Sequence, residues 1–216
     1  MIVGAGDIAS SSNGDSQTAA VIAGLPADTQ VFALGDLVYE DGSVSQFNNY
    51  YEPTWGQFKT RTHPVIGNHD SHSFGAPGYF DYFEPHTFVG NRGEGWYAYD
   101  AGEWRVYVLN SECNGATYDF CDHAAQKAWL QADLATNPRS CTAAMWHRAM
   151  KAASSEHTDD EGNFLDVWQI LFDAGNDLVL TGHDHNYQRY APYNRNSNGV
   201  TRAGCASSSW AQVDVV

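Results

Sequence analysis

Apolar residues in this chain come in short runs that end on a glycine and then on a polar residue with a lone pair to offer. Ile2-Val3-Gly4-Ala5-Gly6 leads to Asp7, and Val31-Phe32-Ala33-Leu34-Gly35 leads to Asp36. Pro64-Val65-Ile66-Gly67 leads to Asn68-His69-Asp70, and Leu178-Val179-Leu180-Thr181-Gly182 leads to His183-Asp184-His185. A fifth run, Thr142-Ala143-Ala144-Met145-Trp146, ends at His147 without the glycine. Short apolar runs bounded by glycine read as buried strands. Helical patterns lie between several of them. One covers residues 15–24, after the candidate cap Asn13. In residues 122–134, Ala125, Ala128, Trp129 and Ala132 recur at three- and four-residue spacing. In residues 164–174, Phe164, Val167, Trp168, Leu171 and Phe172 form an apolar stripe, with Gly175 where a C-cap belongs. Trp96 to Asp100 and Trp104 to Asn110, joined by a glycine-containing turn, read as an antiparallel pair.

Strand–helix–strand alternation predicts parallel pairing with helices on the faces. The expected class is α/β (α+β), with two sheets and helices outside them. Parallel strands bring their carboxyl ends to one edge, where α/β proteins bind ligands. All five polar endings would then meet there. Taken singly, Gly-Asp is a common turn. Gly-His-Asp-His is harder to explain that way, because a turn has no need of two imidazoles.

Composition narrows the partners. The chain has 216 residues, 43% hydrophobic and only 17% charged, which argues against disorder and for a single domain with a full core. The net charge of -15 leaves no basic face for nucleic acid or for anionic lipid. No run of 18 apolar residues is present, so no transmembrane helix is expected, and no secretory signal pattern is seen. Three lysines, an acidic balance and 13% aromatic residues give the profile of an extracellular hydrolase. Cys113, Cys121, Cys141 and Cys205 are too few for a disulfide scaffold and lack C-x-x-C spacing. In an oxidising compartment the short loop between Cys113 and Cys121 favours that pair, although four cysteines allow three connectivities and sequence does not choose among them.

Asp7, Asp36, Asn68, His147, His183 and His185 offer carboxylate, amide and imidazole donors and no thiolate. Such a mixed oxygen and nitrogen set suits catalytic zinc, manganese or iron. Six or seven donors are too many for one ion with open positions, and fit two ions about 3.5–4 Å apart that share a carboxylate.

In this order, Gly6-Asp7, Gly35-Asp36-Leu37-Val38-Tyr39, Gly67-Asn68-His69-Asp70, the strand ending at His147 and Gly182-His183-Asp184-His185 resemble the calcineurin-like metallophosphoesterases. Tyr39, three residues after Asp36, narrows the resemblance to the purple acid phosphatase-like branch of bacterial type. The resemblance implies a four-layer αββα sandwich of two mixed sheets flanked by helices, in one catalytic domain over residues 1–216. It implies that Asp7, Asp36, Tyr39 and His185 hold one ion, and that Asp36, Asn68, His147 and His183 hold a second, with Asp36 bridging. A Tyr39 phenolate suits Fe(III), paired with Zn, Mn or Fe(II). The implied activity is hydrolysis of small phosphate esters, most of all monoesters, by in-line attack of a metal-bound hydroxide. By motif position His69 is the candidate proton donor to the leaving group. His157 stands where related enzymes place a substrate-facing histidine. A phosphodiesterase of the same fold and a non-catalytic extracellular binding module are the rival readings.

Departures from the branch pattern are few. Ala9 stands where a second glycine is common, and Arg148-Ala149 follows His147 where relatives often have His-Pro. Arg148 reads as a surface arginine or a phosphate grip. His63, His72, His86 and His123 read as ordinary loop or surface residues. With Ile2-Val3-Gly4-Ala5-Gly6 at its start, the sequence given is expected to open directly in its first strand, without the N-terminal β domain of plant relatives. Residues from about 193 onward diverge. Ser207-Ser208-Ser209 are poor strand formers. If they come from TCN codons, the frame one base out encodes Phe, Leu, Ile or Val, then Val-Gly-Thr-Gly-Gly, which resembles what relatives carry here. From about Cys205 the chain thus reads as a frame-shifted tail, expected to pack poorly.

Overall fold

The structure, a computed structural model, describes residues 1–12, 14–113, 120–151 and 164–190, and the backbone of 212–214. Strands β1 (Ile2–Ala5), β2 (Gln30–Leu34) and β3 (Thr62–Val65) form a parallel sheet in that order. The second sheet is mixed. It contains β4 (Tyr97–Ala101), β5 (Trp104–Val108), β6 (Cys141–Arg148), β7 (Leu178–Gly182), β8 (Gln188–Arg189) and β9 (Gln212–Asp214), ordered β4-β5-β6-β7-β9-β8. The β4–β5 hairpin is antiparallel, as the Trp96–Asn110 pattern predicts, while β5, β6 and β7 run parallel. The segment expected to pack poorly supplies β9, which pairs with β7 and β8. The rest of that tail, Cys205 included, lies outside the described residues.

Among the described residues five α-helices join the strands: α1 (Asp15–Ala23), α2 (Val44–Gln46), α3 (Pro77–Phe83), α4 (His123–Thr136) and α5 (Leu165–Ala174). Gly14 precedes α1, and the expected cap Asn13 lies outside the described residues. Asp122 caps α4 by accepting from the Ala125 amide at 3.0 Å. Gly175 ends α5 in the left-handed conformation the sequence assigns to it.

The alternation of side chains along each strand builds three apolar layers. Val31 and Ala33 face outward onto Ala19 and Ile22 of α1 and a bed of aromatics from residues 47–83. Phe32, Leu34 and Val65 face inward onto Val106, Val108, Ala143, Met145 and Leu180 of the second sheet. Tyr107, Ala144, Trp146 and Val179 face the other way, onto Leu130 of α4 and Val167, Trp168 and Leu171 of α5. Two sheets packed face to face, with helices on both outer faces, make the expected four layers. The aromatic bed has no signature in the sequence pattern. Phe47, Tyr51, Trp55 and Phe58 are buried, but α2 runs into a wide helical turn (Phe47–Tyr51) and a 3₁₀ turn (Trp55–Arg61), so no single period runs through them. Cys113 and Cys121 form a disulfide, and Cys141 is free among the described residues. No helix of the described residues is long and apolar enough to cross a membrane.

Candidate metal centre

The carboxyl ends of β1, β2, β3, β6 and β7 meet at one edge of the sandwich, and the loops leaving them interlock. The Asp7 amide donates to Gly35 O at 3.0 Å, and the His183 amide donates to Asp7 Oδ2 at 3.0 Å. Ala9 bonds with Leu37 and Tyr39 through its backbone, which fixes the Tyr39 loop beside the Asp7 loop. The recurring glycine has a steric reason. A Cβ on Gly35 would lie 2.4 Å from His147 Nδ1, and one on Gly67 would lie 2.2 Å from the Asp36 amide nitrogen. Only a residue without a side chain lets these loops cross so closely. Among the described residues six non-glycines have left-handed backbones, and four of them are Asp7 (φ 54°), Asp36 (48°), His183 (79°) and His185 (50°). Each such position costs about 1–3 kcal/mol and tends to mark a working site.

The seven expected donors gather in two adjoining groups. In the first, Tyr39 Oη lies 3.1 Å from Asp7 Oδ1 and 3.0 Å from His185 Nε2, and His185 Nε2 lies 3.4 Å from Asp7 Oδ1. In the second, His147 Nε2 lies 3.3 Å from Asp36 Oδ2, 3.1 Å from Asn68 Oδ1 and 3.2 Å from His183 Nδ1. Asp36, His147 and His183 are buried and bring one donor atom each within 4.8 Å of one another.

The donor set fits cations. His147 Nδ1 lies 2.7 Å from Leu34 O, so that nitrogen carries a proton and donates it. In the neutral ring Nε2 then holds a lone pair, and it faces two oxygen acceptors, Asp36 Oδ2 and Asn68 Oδ1. Acceptors facing acceptors in a buried site require a positive charge between them. Without a metal a proton fills that need. Burial alone would depress the His147 imidazole, but the Asp36 carboxylate outweighs it and pushes the pKa up to about 10. Burial likewise opposes ionisation of Asp36, yet His147 and His69 hold its carboxyl well below the usual range. Burial, and then the charges of Asp7 and Asp36, push the Tyr39 phenol far up, so it stays protonated until a cation displaces the proton. The hydrogen bond to Asp7 raises the His185 imidazole.

His69 stands at the rim. Its amide donates to Asp36 Oδ1 at 2.8 Å, its Nδ1 donates to Glu40 O at 2.7 Å, and its Nε2 lies 3.9 Å from Asp36 Oδ2. His157 lies outside the described residues. Arg148 is not a surface arginine. Its side chain is 16% exposed and pairs with the fully buried Glu112 at 3.0 Å, and its Nη1 lies 3.3 Å from His183 Nε2. His63 is not a loop residue either. It lies in β3, flat on the Tyr99 ring with 3.5 Å between centroids, because its side chain points to the partly covered inner face of the sheet. Two further buried acids, Asp70 and Glu112, flank the centre. Asp70 accepts from the amides of Leu37 and Gly67 at 2.9–3.2 Å and ties the second loop to the third. Glu112 has no motif around it, and only the fold brings it to Arg148.

Residues 2–187 match the family described as calcineurin-like phosphoesterase. The chain belongs to that family. An uncharacterized protein of Mycobacterium tuberculosis is 29% identical over 182 residues, covering 73% of this chain and 34% of its own length. A probable inactive purple acid phosphatase 24 of Arabidopsis thaliana is 28% identical over 200 residues, covering 75% of this chain and 29% of its own. The chain thus spans about a third of the length of those relatives. The fold is similar to that of purple acid phosphatase PPD1 from yellow lupin (Lupinus luteus) seeds, with a TM-score of 0.69 at 20% identity, over 100% of this chain and 45% of the lupin chain.

Proposed function

We propose that the protein is a dinuclear metal-dependent phosphomonoesterase acting on small phosphate esters outside the cell. The observation that carries this reading is the pair of adjoining donor groups whose lone pairs face one another, Asp7–Tyr39–His185 and Asp36–Asn68–His147–His183. Asp7, Tyr39 and His185 would hold one ion, Asn68, His147 and His183 the other, with Asp36 common to both. Bound metal ions neutralise phosphate oxygens and make water a nucleophile near neutral pH. The chain supplies the rest. The Leu34 carbonyl holds the proton of His147 on Nδ1 and keeps Nε2 turned to the site. The Glu40 carbonyl does the same for His69, whose Nε2 then presents a second proton toward a leaving alkoxide when the ring is protonated. The acidic surface repels long polyanions and leaves small esters as substrates. The disulfide between Cys113 and Cys121 supports an oxidising compartment. Fe(III) with Zn, Mn or Fe(II) is the pairing that Tyr39 favours.

A second reading, a binding module without catalysis, draws on the relative named as probably inactive. Metal analysis together with assays on an aryl phosphate monoester and the matching diester separates the readings. Two equivalents of metal and faster monoester turnover are expected, and Asp36→Asn should lose at least one equivalent and most of the turnover. Two bound metals with no hydrolysis would select the binding module. Faster diester turnover would select a phosphodiesterase. Full activity of Asp36→Asn with two metals bound would defeat the bridging assignment.

A further inference from the structure

The most exposed large apolar side chain among the described residues is Phe74, at 79%. It stands on the loop after β3, five residues beyond His69. The loop itself fixes that exposure. The Ala76 amide donates to Ser73 O at 2.9 Å, which closes a β-turn with Phe74 and Gly75 at its two central positions. Gly75 has φ 85°, and a turn with a positive φ at its third residue calls for glycine there. Ala76 is fully buried, so the turn is anchored at its far end while Phe74 is carried out into water. Phe120 meets the Phe74 ring edge-on, with 6.3 Å between centroids and 72° between planes. Phe120 is half-buried against the aromatic bed, and its neighbour Cys121 is tied to Cys113. The ring pair therefore joins the loop leaving the first sheet at β3 to the segment that follows β5 in the second.

The same loop carries the candidate proton donor. The Ser71 amide bonds to Gly67 O and Asn68 O, and the His72 amide to His69 O, so residues 67–72 coil tightly and set the His69 and His72 rings 4.7 Å apart. A leaving group protonated by His69 departs on the side of this loop, and the alcohol it becomes extends along it. What the loop presents there is rings, His72 and then Phe74, with Phe120 behind. Carboxylates stand beside the two imidazoles: Glu40 Oε2 lies 3.9 Å from His69 Nδ1, and Asp41 Oδ1 lies 3.5 Å from His72 Nδ1. Such a border repels an alcohol that carries its own negative charge. A planar apolar alcohol suits it, because laying one ring on another removes both from water and lets their quadrupoles pair.

We propose that Phe74, backed by Phe120, is a specificity-determining residue for the alcohol half of the ester, and that the preferred substrates are phosphate monoesters of phenols and other planar aromatic alcohols. The proposal rests on the phosphomonoesterase reading and goes beyond it by naming the substrate class. A single exposed aromatic is ordinary on a protein surface. Phe74 differs in two ways. Its turn is pinned by a buried residue that holds the ring outward, and that turn continues the loop that bears Asn68 and His69.

Calorimetry on the metal-loaded full chain tests this with phenylphosphonate and methylphosphonate. The two share a head group, differ in the ring and are not hydrolysed, so the measurement does not depend on turnover. The wild type should bind phenylphosphonate about tenfold more tightly than methylphosphonate. In Phe74→Ala that ratio should fall to about threefold or less, and in Phe74→Tyr, which keeps a ring, it should stay near the wild-type value. A Phe74 that only shapes the loop predicts something else. Its loss would lower the metal content or weaken both ligands in parallel with the ratio unchanged, and either result would overturn the proposal. A wild type that binds the two phosphonates equally would overturn the proposal alone and leave the phosphomonoesterase reading standing. Protein that takes up no metal, or that binds neither phosphonate when loaded, would sink that reading and the proposal with it.

Discussion

Tyr39, under burial and neighbouring charge, and His63, under burial alone, show how environment acts on single residues with different consequences. Tyr39 stands between Asp7 and His185, and the buried carboxylates keep its phenol protonated in the metal-free site. Only a strongly charged ion can displace that proton. Protein loaded with ferric iron is therefore expected to show a visible charge-transfer band, and Tyr39→Phe to lack it. A colourless iron-loaded wild type would speak for an iron site that does not use the tyrosine. His63 sits away from that chemistry, stacked on Tyr99 and paired with Gln30 Oε1 at 2.9 Å. Burial lowers its pKa to about 4 from an ordinary value of 6.5. Between those values the unfolded chain binds more protons than the native one, so stability is held above pH 6.5 and falls as the pH drops toward 4. His63→Phe keeps the stack and removes the titration. It is expected to cost about 1 kcal/mol near neutrality for the lost hydrogen bond, and to flatten the acid-side loss by roughly 2–3 kcal/mol. Urea unfolding of metal-free protein across this range measures both, and parallel pH profiles for the two proteins would refute the assignment.

At the level of elements, β1, β2, β3 and β7 each hand their chemistry to the loop after them, β6 carries His147 within the strand, and the glycines at the four junctions make the handover sterically feasible. Gly67 is the tightest case. Its absent Cβ is replaced in space by the amide nitrogen and Oδ1 of Asp36, both 2.2 Å from where that carbon would stand. Gly67→Ala must push the β3 loop away from the β2 loop, and with it the Asp70 carboxylate that binds the Leu37 and Gly67 amides. The expected result is a fall in both metal content and hydrolysis. Gly14→Ala is the control, because its nearest neighbour would be Gln17 Oε1 at 4.0 Å. Equal metal content in the two variants, by elemental analysis, would show that the close crossing is not needed.

Across the whole molecule, the Cys113–Cys121 disulfide lies next to the buried Glu112–Arg148 pair beside the centre. Cys113 follows Glu112 directly, and Asn110 Nδ2 lies 3.4 Å from Cys121 Sγ while its Oδ1 accepts from the Glu112 amide at 3.0 Å. A cross-link spanning eight residues restricts the unfolded chain by about 2–3 kcal/mol. Cys113→Ser with Cys121→Ser is expected to lower unfolding stability by that amount. Denaturant melts with and without reductant give this quantity. An identical melt in both would mean that the bond contributes nothing to the folded state's advantage.

The sequence by itself made legible the five strands that end at the candidate site and six of the seven proposed donors, while Tyr39 came with the family resemblance. It did so because each of these is local: an apolar run, a glycine and a ligand-capable residue stand next to one another in the chain. The antiparallel pair, α1, α4, α5 and the C-cap Gly175 were legible for the same reason. Only the tertiary structure decided the rest. The aromatic bed under the first sheet has no single period, so its burial could not be read along the chain. Asp70 stands in the Gly67-Asn68-His69-Asp70 motif with no role read for it, Glu112 carries no motif, and a buried acid is recognised by what surrounds it. Arg148 looks like a surface residue from its neighbours in sequence. Its partners, Glu112 and His183, lie 36 and 35 residues away along the chain, and packing of β6 against β7 and the segment after β5 is what brings them together. The division of the donors into two groups is likewise a matter of distance, because the lone pair on His147 faces Asp36 only after the Leu34 carbonyl of the other sheet has claimed its proton.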